Sequence, residues 1–322
     1  NFSSSKRIAF ALLLVFVLSV SACTPKAETF TVGIVNPAPS MDPTIEGFKA
    51  GMAEKGYVEG ENITYIYNGP LGGDPAVLDA EVQSFVDAEV DLIFSLATPG
   101  TAAAQRVTAG TDMPVVYTPL SDPVGAGFAD SYVSPGGNMT GVRVGGFVPK
   151  NLEWLTIISP DIKKVYAPFN PKDQAAVYGR DLLVETAAGF GIEIVAPEAA
   201  SADEIPGMIA EMPEDIDAIF ILTDSMVLSR VADFVAVSQE RAIPLTSFSY
   251  SQVTAGTLMA YGPNFSATGN QAARLADQVL QGADAGSLPV EEAEYFLYLN
   301  QAVAEQIGIT LPDNALKAAT EI

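Results

Sequence analysis

Polar side chains stand at the ends of short apolar runs at three places in the chain, where they could bind a small charged molecule. Thr98, Ser121 and Asp224 each follow or end such a run. A hydroxyl and the free backbone amides of a helix start can hold a carboxylate. A carboxylate such as Asp224 suits an ammonium group, because a charge in a closing cleft needs an opposite charge. The pattern predicts a zwitterion, such as an amino acid, divided between these sites.

Each of these residues also has a purely structural interpretation. Thr98 can cap the helix that follows it, and Asp224 can cap a helix over 226–241. Asp122 can form a turn with its own backbone before the next proline, which leaves Ser121 as the better ligand contact of that pair. One residue can cap a helix and contact a ligand at the same time, so both interpretations stay open.

Further candidates lie in the neighbouring loops. Aromatic side chains can provide an apolar wall for a ring-bearing ligand. In addition to the four residues above, the predicted ligand contacts are Ser40, Met41, Pro99, Thr118, Asn170, Thr223, Phe248, Tyr250 and Tyr261.

The composition argues against catalysis. The chain has no histidine and a single cysteine, which removes histidine-dependent nucleophilic catalysis and the usual zinc ligands. Carboxylates are abundant, but no pair stands out as an acid–base couple. Gly136, Gly137 and Gly141 lack the order of a dinucleotide-binding motif. We therefore expect a binding protein with no cofactor and no metal, and not an enzyme.

The net charge of −23 is strongly negative. Such a chain should be repelled by nucleic acid and by anionic lipid. The acidic residues are scattered along the sequence, so a salty or acidic habitat explains the charge equally well.

The first 22 residues resemble a secretory signal. Lys6 and Arg7 precede an apolar stretch over 8–20, which is short for a membrane-spanning helix. Small residues then lead to Cys23, as in the lipobox of bacterial lipoproteins. We expect residues 1–22 to be removed, Cys23 to carry the lipid anchor and residues 23–29 to form a tether. The alternative is an uncleaved membrane anchor with an incidental cysteine.

After the tether, short apolar runs alternate with longer amphipathic ones, and the alternation starts again after about residue 147. Repeated strand–helix units predict parallel sheets covered by helices, and two series of them predict two α/β lobes. Strands are expected at 31–35, 62–67, 91–97, 114–118, 138–144, 164–169, 192–196, 218–222 and 244–248. Helices are expected at 43–55, 74–88, 98–109, 173–190, 202–212, 226–241 and 266–281. The segments 256–261, 293–299 and 301–307, to which no type is assigned, complete the chain. Ligands in such folds bind at the carboxyl ends of the strands, here in a cleft between the lobes.

Two blocks of sequence resemble a known family. They are Pro114-Val-Val-Tyr-Thr-Pro-Leu-Ser-Asp-Pro-Val-Gly-Ala-Gly127 and Pro135-Gly-Gly-Asn-Met-Thr-Gly-Val142. Both are similar to the substrate-binding proteins of ABC transporters, in the group that includes the TrpX-type tryptophan-binding proteins. The likeness extends from about residue 30 to 322.

The resemblance implies a type I periplasmic-binding-protein fold in which the chain crosses between the lobes three times. It places 30–146 plus about 257–284 in the first lobe, and 147–256 plus about 285–322 in the second. It also implies an extracytoplasmic role, in which a small-molecule ligand, expected to be an amino acid, is delivered to an ABC permease and its ATPase. The alternative is a sensor module that presents the ligand-bound lobes to a signalling partner.

Overall fold

The computed structural model of the chain describes residues 29–320. The expected signal segment, Cys23 and nearly all of the tether lie outside these residues. Within the described part, no helix combines the length and the apolar character that crossing a membrane requires.

Within residues 29–320, twelve strands form two six-stranded sheets. In chain order they are β1 (Phe30–Val35), β2 (Ile63–Ile66), β3 (Leu92–Leu96), β4 (Val115–Leu120), β5 (Met139–Arg143), β6 (Lys164–Tyr166), β7 (Glu193–Val195), β8 (Ala218–Phe220), β9 (Leu245–Ser247), β10 (Met259–Pro263), β11 (Glu291–Glu292) and β12 (Tyr295–Leu299). The first sheet has the order β11-β5-β4-β3-β1-β2 and the second β12-β10-β9-β8-β6-β7. All pairs are parallel except β10 with β12. The predicted α/β class is confirmed.

In the same described part of the chain, twelve α-helices connect and cover the strands. They are α1 (Asp42–Glu54), α2 (Pro75–Asp87), α3 (Ala97–Thr108), α4 (Val148–Ile158), α5 (Gln174–Phe190), α6 (Ile205–Ala210), α7 (Ser225–Leu228), α8 (Val231–Arg241), α9 (Tyr250–Thr254), α10 (Phe265–Leu280), α11 (Gln301–Gln306) and α12 (Asp313–Ala318). The helix expected over 226–241 is interrupted, and α7 and α8 are separate. The expected helices do not include α4, α9, α11 and α12.

Each sheet is buried on both faces. All six residues of β4 are inaccessible, which is typical of a central parallel strand covered by helices. Two clusters of buried apolar side chains flank the first sheet, one under α1 and α10 and the other under α2 and α3. Two more flank the second sheet. Each lobe therefore has its own core, and only the strand ends are left to face the other lobe.

The chain crosses between the sheets three times, and two of the expected boundaries are wrong. β10 pairs with β9 and β12, so residues 259–263 lie in the second lobe and not in the first. β11 pairs with β5, so the chain stays in the first lobe until Glu292. Helix α10 lies between these strands and packs on α1, as the family resemblance implies. The crossings therefore follow β5, β10 and β11.

Helices α1 and α10 approach so closely that their backbones touch. A Cβ placed on Gly269 would overlap the carbonyl oxygen of Thr44, and one placed on Gly47 would overlap that of Ser266. Glycine is required at both positions because the opposing atoms belong to the backbone and cannot rotate away. This contact fastens α10, and with it the second crossing, to the first lobe.

Candidate functional site

A cleft of about 980 Å³ lies between the carboxyl ends of the two sheets. Loops of both lobes line it, together with the crossings near Phe147 and Asn264. Ligand pockets usually measure about 300–1,000 Å³, so this cleft is at the upper end of the range. A single amino acid would fill it only after the lobes move closer together.

The loop after β1 is held by a buried amide. The Asn36 side chain donates hydrogen bonds to Asp42 Oδ1 and to the Tyr67 hydroxyl, both at 2.9 Å, and the Tyr67 hydroxyl donates to Asp42 Oδ1 at 3.0 Å. The pKa of Tyr67 is raised, mainly by burial. The hydroxyl therefore keeps the proton that it donates to Asp42. The network fixes the short 3₁₀ turn that presents Ser40 and Met41 to the cleft.

The loop after β3 presents the start of α3. Leu96 occupies the N-cap position of this helix, but its side chain makes no capping hydrogen bond. Thr98 therefore lies inside the first turn and is not the N-cap residue. Ala97 has a φ of 54°, a left-handed conformation that is costly for alanine. The uncapped amides of this turn and the Thr98 hydroxyl are therefore available to an anion, and Thr98 and Pro99 both line the cleft.

The loop after β4 carries two predicted ligand contacts, Ser121 and Asp122, and only one of them lines the cleft. Ser121 is 8% exposed and lines the cleft. Asp122 does not line it. Its Oδ1 accepts hydrogen bonds from the Gly125 amide at 3.0 Å and the Tyr132 hydroxyl at 2.8 Å, which is the predicted turn. Asp122 instead lines a smaller side pocket of about 340 Å³ that shares Ser121 with the cleft.

The second lobe places a buried carboxylate opposite α3. Asp224 is fully buried and caps α7, with Oδ1 accepting from the amides of Met226 at 2.9 Å and Val227 at 3.0 Å. Its Oδ2 accepts from the Asn170 amide at 2.6 Å. The predicted capping role is therefore present. Within residues 29–320 no Lys or Arg pairs with Asp224, so its charge is held by backbone amides alone.

A second acid, Asp173, lies beside Asp224 and was not assigned from the sequence. It lines the cleft and caps α5 through a hydrogen bond from the Ala175 amide at 2.9 Å. Burial raises the pKa of Asp173, and the negative charge of Asp224 raises it further. The sequence signal was an aspartate directly before a predicted helix, which does not distinguish a cap from a binding residue. The two acids make this wall favourable for a cation.

We expect Asp173→Asn to raise the melting temperature of the ligand-free protein at pH 7. The raised pKa means that the charged form of Asp173 destabilises the fold above that pKa, and that this cost disappears as the pH falls through it. Asparagine caps a helix as well as aspartate does. The melting temperatures of variant and wild type should therefore differ mainly at pH 7, and much less at pH 4. A lower melting temperature for the variant at pH 7 would show that the charge stabilises the helix instead.

The predicted aromatic wall is present in part. Phe248 and Tyr250 line the cleft, together with Phe147 and Tyr298. Phe248 is only 3% exposed because its ring packs against Phe147 at 5.8 Å between centroids, whereas Tyr250 is 44% exposed. Tyr261 lies outside the cleft, where its ring packs against Tyr295.

Ten of the thirteen predicted contacts line the cleft: Ser40, Met41, Thr98, Pro99, Ser121, Asn170, Thr223, Asp224, Phe248 and Tyr250. Thr118 is not among them, since it is fully buried within β4, one residue before the chain reaches the cleft. Besides Phe147, Asp173 and Tyr298, sequence reasoning missed several polar lining residues, namely Lys172, Gln174, Ser249, Ser251, Gln252, Asn264 and Ser266.

The arrangement suits a small molecule with two opposite charges. The start of α3 favours an anion, and the acids Asp173 and Asp224 favour a cation on the facing wall. Among residues 29–320, no three Cys, Asp or Glu side chains come together as a metal site would require. The site can hold a ligand between two walls.

Three known proteins illustrate what this chain is similar to. A tyrosine-binding protein from Clostridioides difficile (strain R20291) is 29% identical over 252 residues, which cover 78% of this chain and 72% of that relative. The crystal structure of a conserved domain protein from Vibrio cholerae O1 biovar El Tor is 30% identical with a TM-score of 0.80, covering 92% of this chain and 99% of that chain. A Streptococcus pneumoniae ABC domain in complex with L-Trp has a TM-score of 0.81 at 24% identity and covers 91% of this chain and 99% of that chain.

The sequence model of one family extends over nearly the whole described part of the chain. It is described as the ABC transporter substrate binding protein family, and it matches residues 31–322. The chain therefore belongs to this family, as an extracytoplasmic binding protein and not an enzyme.

Proposed function

We propose that this protein captures an aromatic amino acid in the cleft and delivers it to the permease and ATPase of an ABC importer. The observation that carries the proposal is the pairing of an uncapped helix start with two carboxylates across one cleft. The tyrosine-binding relative and the related structure that contains L-Trp support the aromatic class.

The two walls divide the ligand between them. The α-carboxylate lies at the first turn of α3, near the hydroxyls of Thr98 and Ser121. The α-ammonium lies against Asp224, whose carboxylate has amide partners but no cation, and near Asp173. Because each charge of the ligand belongs to a different lobe, binding draws the lobes together and favours closure of the cleft.

The proposal is tested by isothermal titration calorimetry of the purified protein against single amino acids, a sugar and a nucleoside. We expect L-tyrosine or L-tryptophan to bind with a dissociation constant in the micromolar range or below. We also expect the corresponding amine without the carboxylate, tyramine or tryptamine, to bind at least tenfold more weakly. Binding of the sugar or the nucleoside in place of any amino acid would contradict the proposal.

We also propose that the protein is held at the extracytoplasmic surface of the cell membrane by lipid on Cys23. The proposal rests on Lys6 and Arg7, the apolar stretch 8–20 and the small residues before the cysteine. Two or more acyl chains are needed for firm anchoring, since one chain binds a membrane only marginally. Cys23→Ser should move the expressed protein from the membrane fraction to the soluble fraction. An unchanged membrane fraction would instead indicate an uncleaved apolar anchor.

A further inference from the structure

The side pocket next to the cleft begins where the proposed charged end of the ligand lies. The two cavities share Thr98, Ser121, Gln174 and Ala175. A ligand held near Thr98 and Ser121 would therefore lie next to both cavities. With about 340 Å³, the pocket is at the small end of ligand pockets and suits one ring system better than a whole amino acid.

The aromatic wall of the main cleft offers the ring of a ligand less apolar contact than the side pocket does. Phe147 is 1% exposed and Phe248 is 3% exposed, because their rings already bury each other. The hydrophobic gain of binding scales with apolar area removed from water, and little of that area is left on these two rings. Tyr250 is 44% exposed and has free surface, but it does not line the side pocket.

The side pocket has both apolar and polar lining residues. Leu120, Ala126 and Val177 supply apolar surface, and Asp122 and Tyr178 supply polar atoms. The two lobes contribute to both kinds of surface. An aromatic ring that carries a polar atom matches this lining.

Asp122 is held as a hydrogen-bond acceptor. Both of its bonds, from the Gly125 amide and the Tyr132 hydroxyl, go to Oδ1. Its Oδ2 makes no hydrogen bond within the described residues and lies over Gly125, where a Cβ would overlap it. Glycine at position 125 thus leaves room for an oxygen that can accept from a ligand but cannot donate to it.

We propose that the side pocket receives the ring of the ligand and that Asp122 Oδ2 accepts a hydrogen bond from an O–H or N–H group on that ring. The ligand class is then aromatic amino acids with a ring donor, which includes tyrosine and tryptophan and disfavours phenylalanine. This inference rests on the proposed function, since it takes the amino-acid end of the ligand to lie at Thr98 and Ser121.

The first test compares L-tyrosine, L-tryptophan and L-phenylalanine by calorimetry on wild type and Asp122→Asn. Asparagine keeps Oδ1 for Gly125 and Tyr132 but replaces Oδ2 with an N–H donor. We expect wild type to bind tryptophan or tyrosine at least tenfold more tightly than phenylalanine. The affinity of the variant for tryptophan should fall at least tenfold, because the indole N–H can only donate. Its affinity for tyrosine should fall less, because the tyrosine hydroxyl can also accept. Its affinity for phenylalanine should change less than about threefold.

A second variant covers the case in which Asp122→Asn disturbs the turn, which a lowered melting temperature would reveal. Ala126→Leu places extra carbon atoms in the side pocket and leaves Asp122 in place. We expect it to weaken all three aromatic amino acids at least tenfold. Its matched control is Ala102→Leu on α3, a partly exposed alanine that lines neither cavity, which should leave affinity unchanged.

The outcomes separate this inference from the proposed function. Equal affinity of wild type for phenylalanine and its ring-donor analogues would overturn the inference, as would full aromatic binding by Ala126→Leu. In both cases amino acids still bind, so the proposed function would stand. If no amino acid binds wild type at all, the proposed function itself fails.

Discussion

Asp224→Asn should weaken binding of L-tyrosine or L-tryptophan by about 10- to 150-fold. Hydrogen bonds to charged groups contribute about 1.5–3 kcal/mol, and each 1.4 kcal/mol is a factor of ten in affinity. Asparagine keeps one oxygen for capping α7, so the main change is the loss of negative charge opposite the ammonium. Calorimetry on wild type and variant gives the ratio of dissociation constants directly.

The matched control is Asp74→Asn. Asp74 also caps a helix, α2, through a hydrogen bond from the Ala76 amide at 2.9 Å, but it does not line the cleft. Asp224→Asn should lower the melting temperature more than Asp74→Asn, because it also removes the acceptor of the Asn170 amide at a buried position. Only Asp224→Asn should change the affinity. Unchanged affinity in a folded Asp224→Asn protein would show that this residue is a cap alone.

Gly269→Ala should destabilise the first lobe strongly for a single added methyl group. The new Cβ would overlap the Thr44 carbonyl oxygen of α1, and it would also crowd the Phe48 amide. Overpacking of this kind costs about 1–3 kcal/mol of unfolding free energy, because the two helices must separate along their contact. Denaturant unfolding followed by circular dichroism should show a lower midpoint.

Gly189→Ala is the control for this variant. Gly189 also lies within a helix, α5, but a Cβ there meets no atom within 4 Å. Alanine should therefore be neutral, or stabilise the protein by about 0.5–1 kcal/mol, as it usually does in place of a helical glycine. If both variants unfold at the wild-type midpoint, the close contact between α1 and α10 is not a determinant of stability.

The site was largely predictable because parallel strands end at one edge of a sheet. The apolar runs identified the strands, and the residues that follow them, such as Thr98, Ser121 and Asp224, then had to face the cleft. Thr118 was misplaced by a small error in a strand end. β4 continues to Leu120, and this keeps Thr118 inside the sheet.

The chain crossings were harder to predict, since they depend on partners that are distant in sequence. β11 has only two residues, Glu291 and Glu292, and no apolar pattern distinguishes it from a loop. β10 does have a strand pattern, but nothing in that pattern says which sheet it joins. Pairing with β9 and β12 decides its lobe, and this also moves Tyr261 away from the cleft.

The measurement that tests the central claim most directly is a crystal structure of the protein with its amino acid bound. We predict that the α-ammonium lies within hydrogen-bonding distance of the Asp224 carboxylate and the α-carboxylate at the first turn of α3, near Thr98. A bound ligand that contacts neither Asp224 nor the start of α3 would contradict the claim.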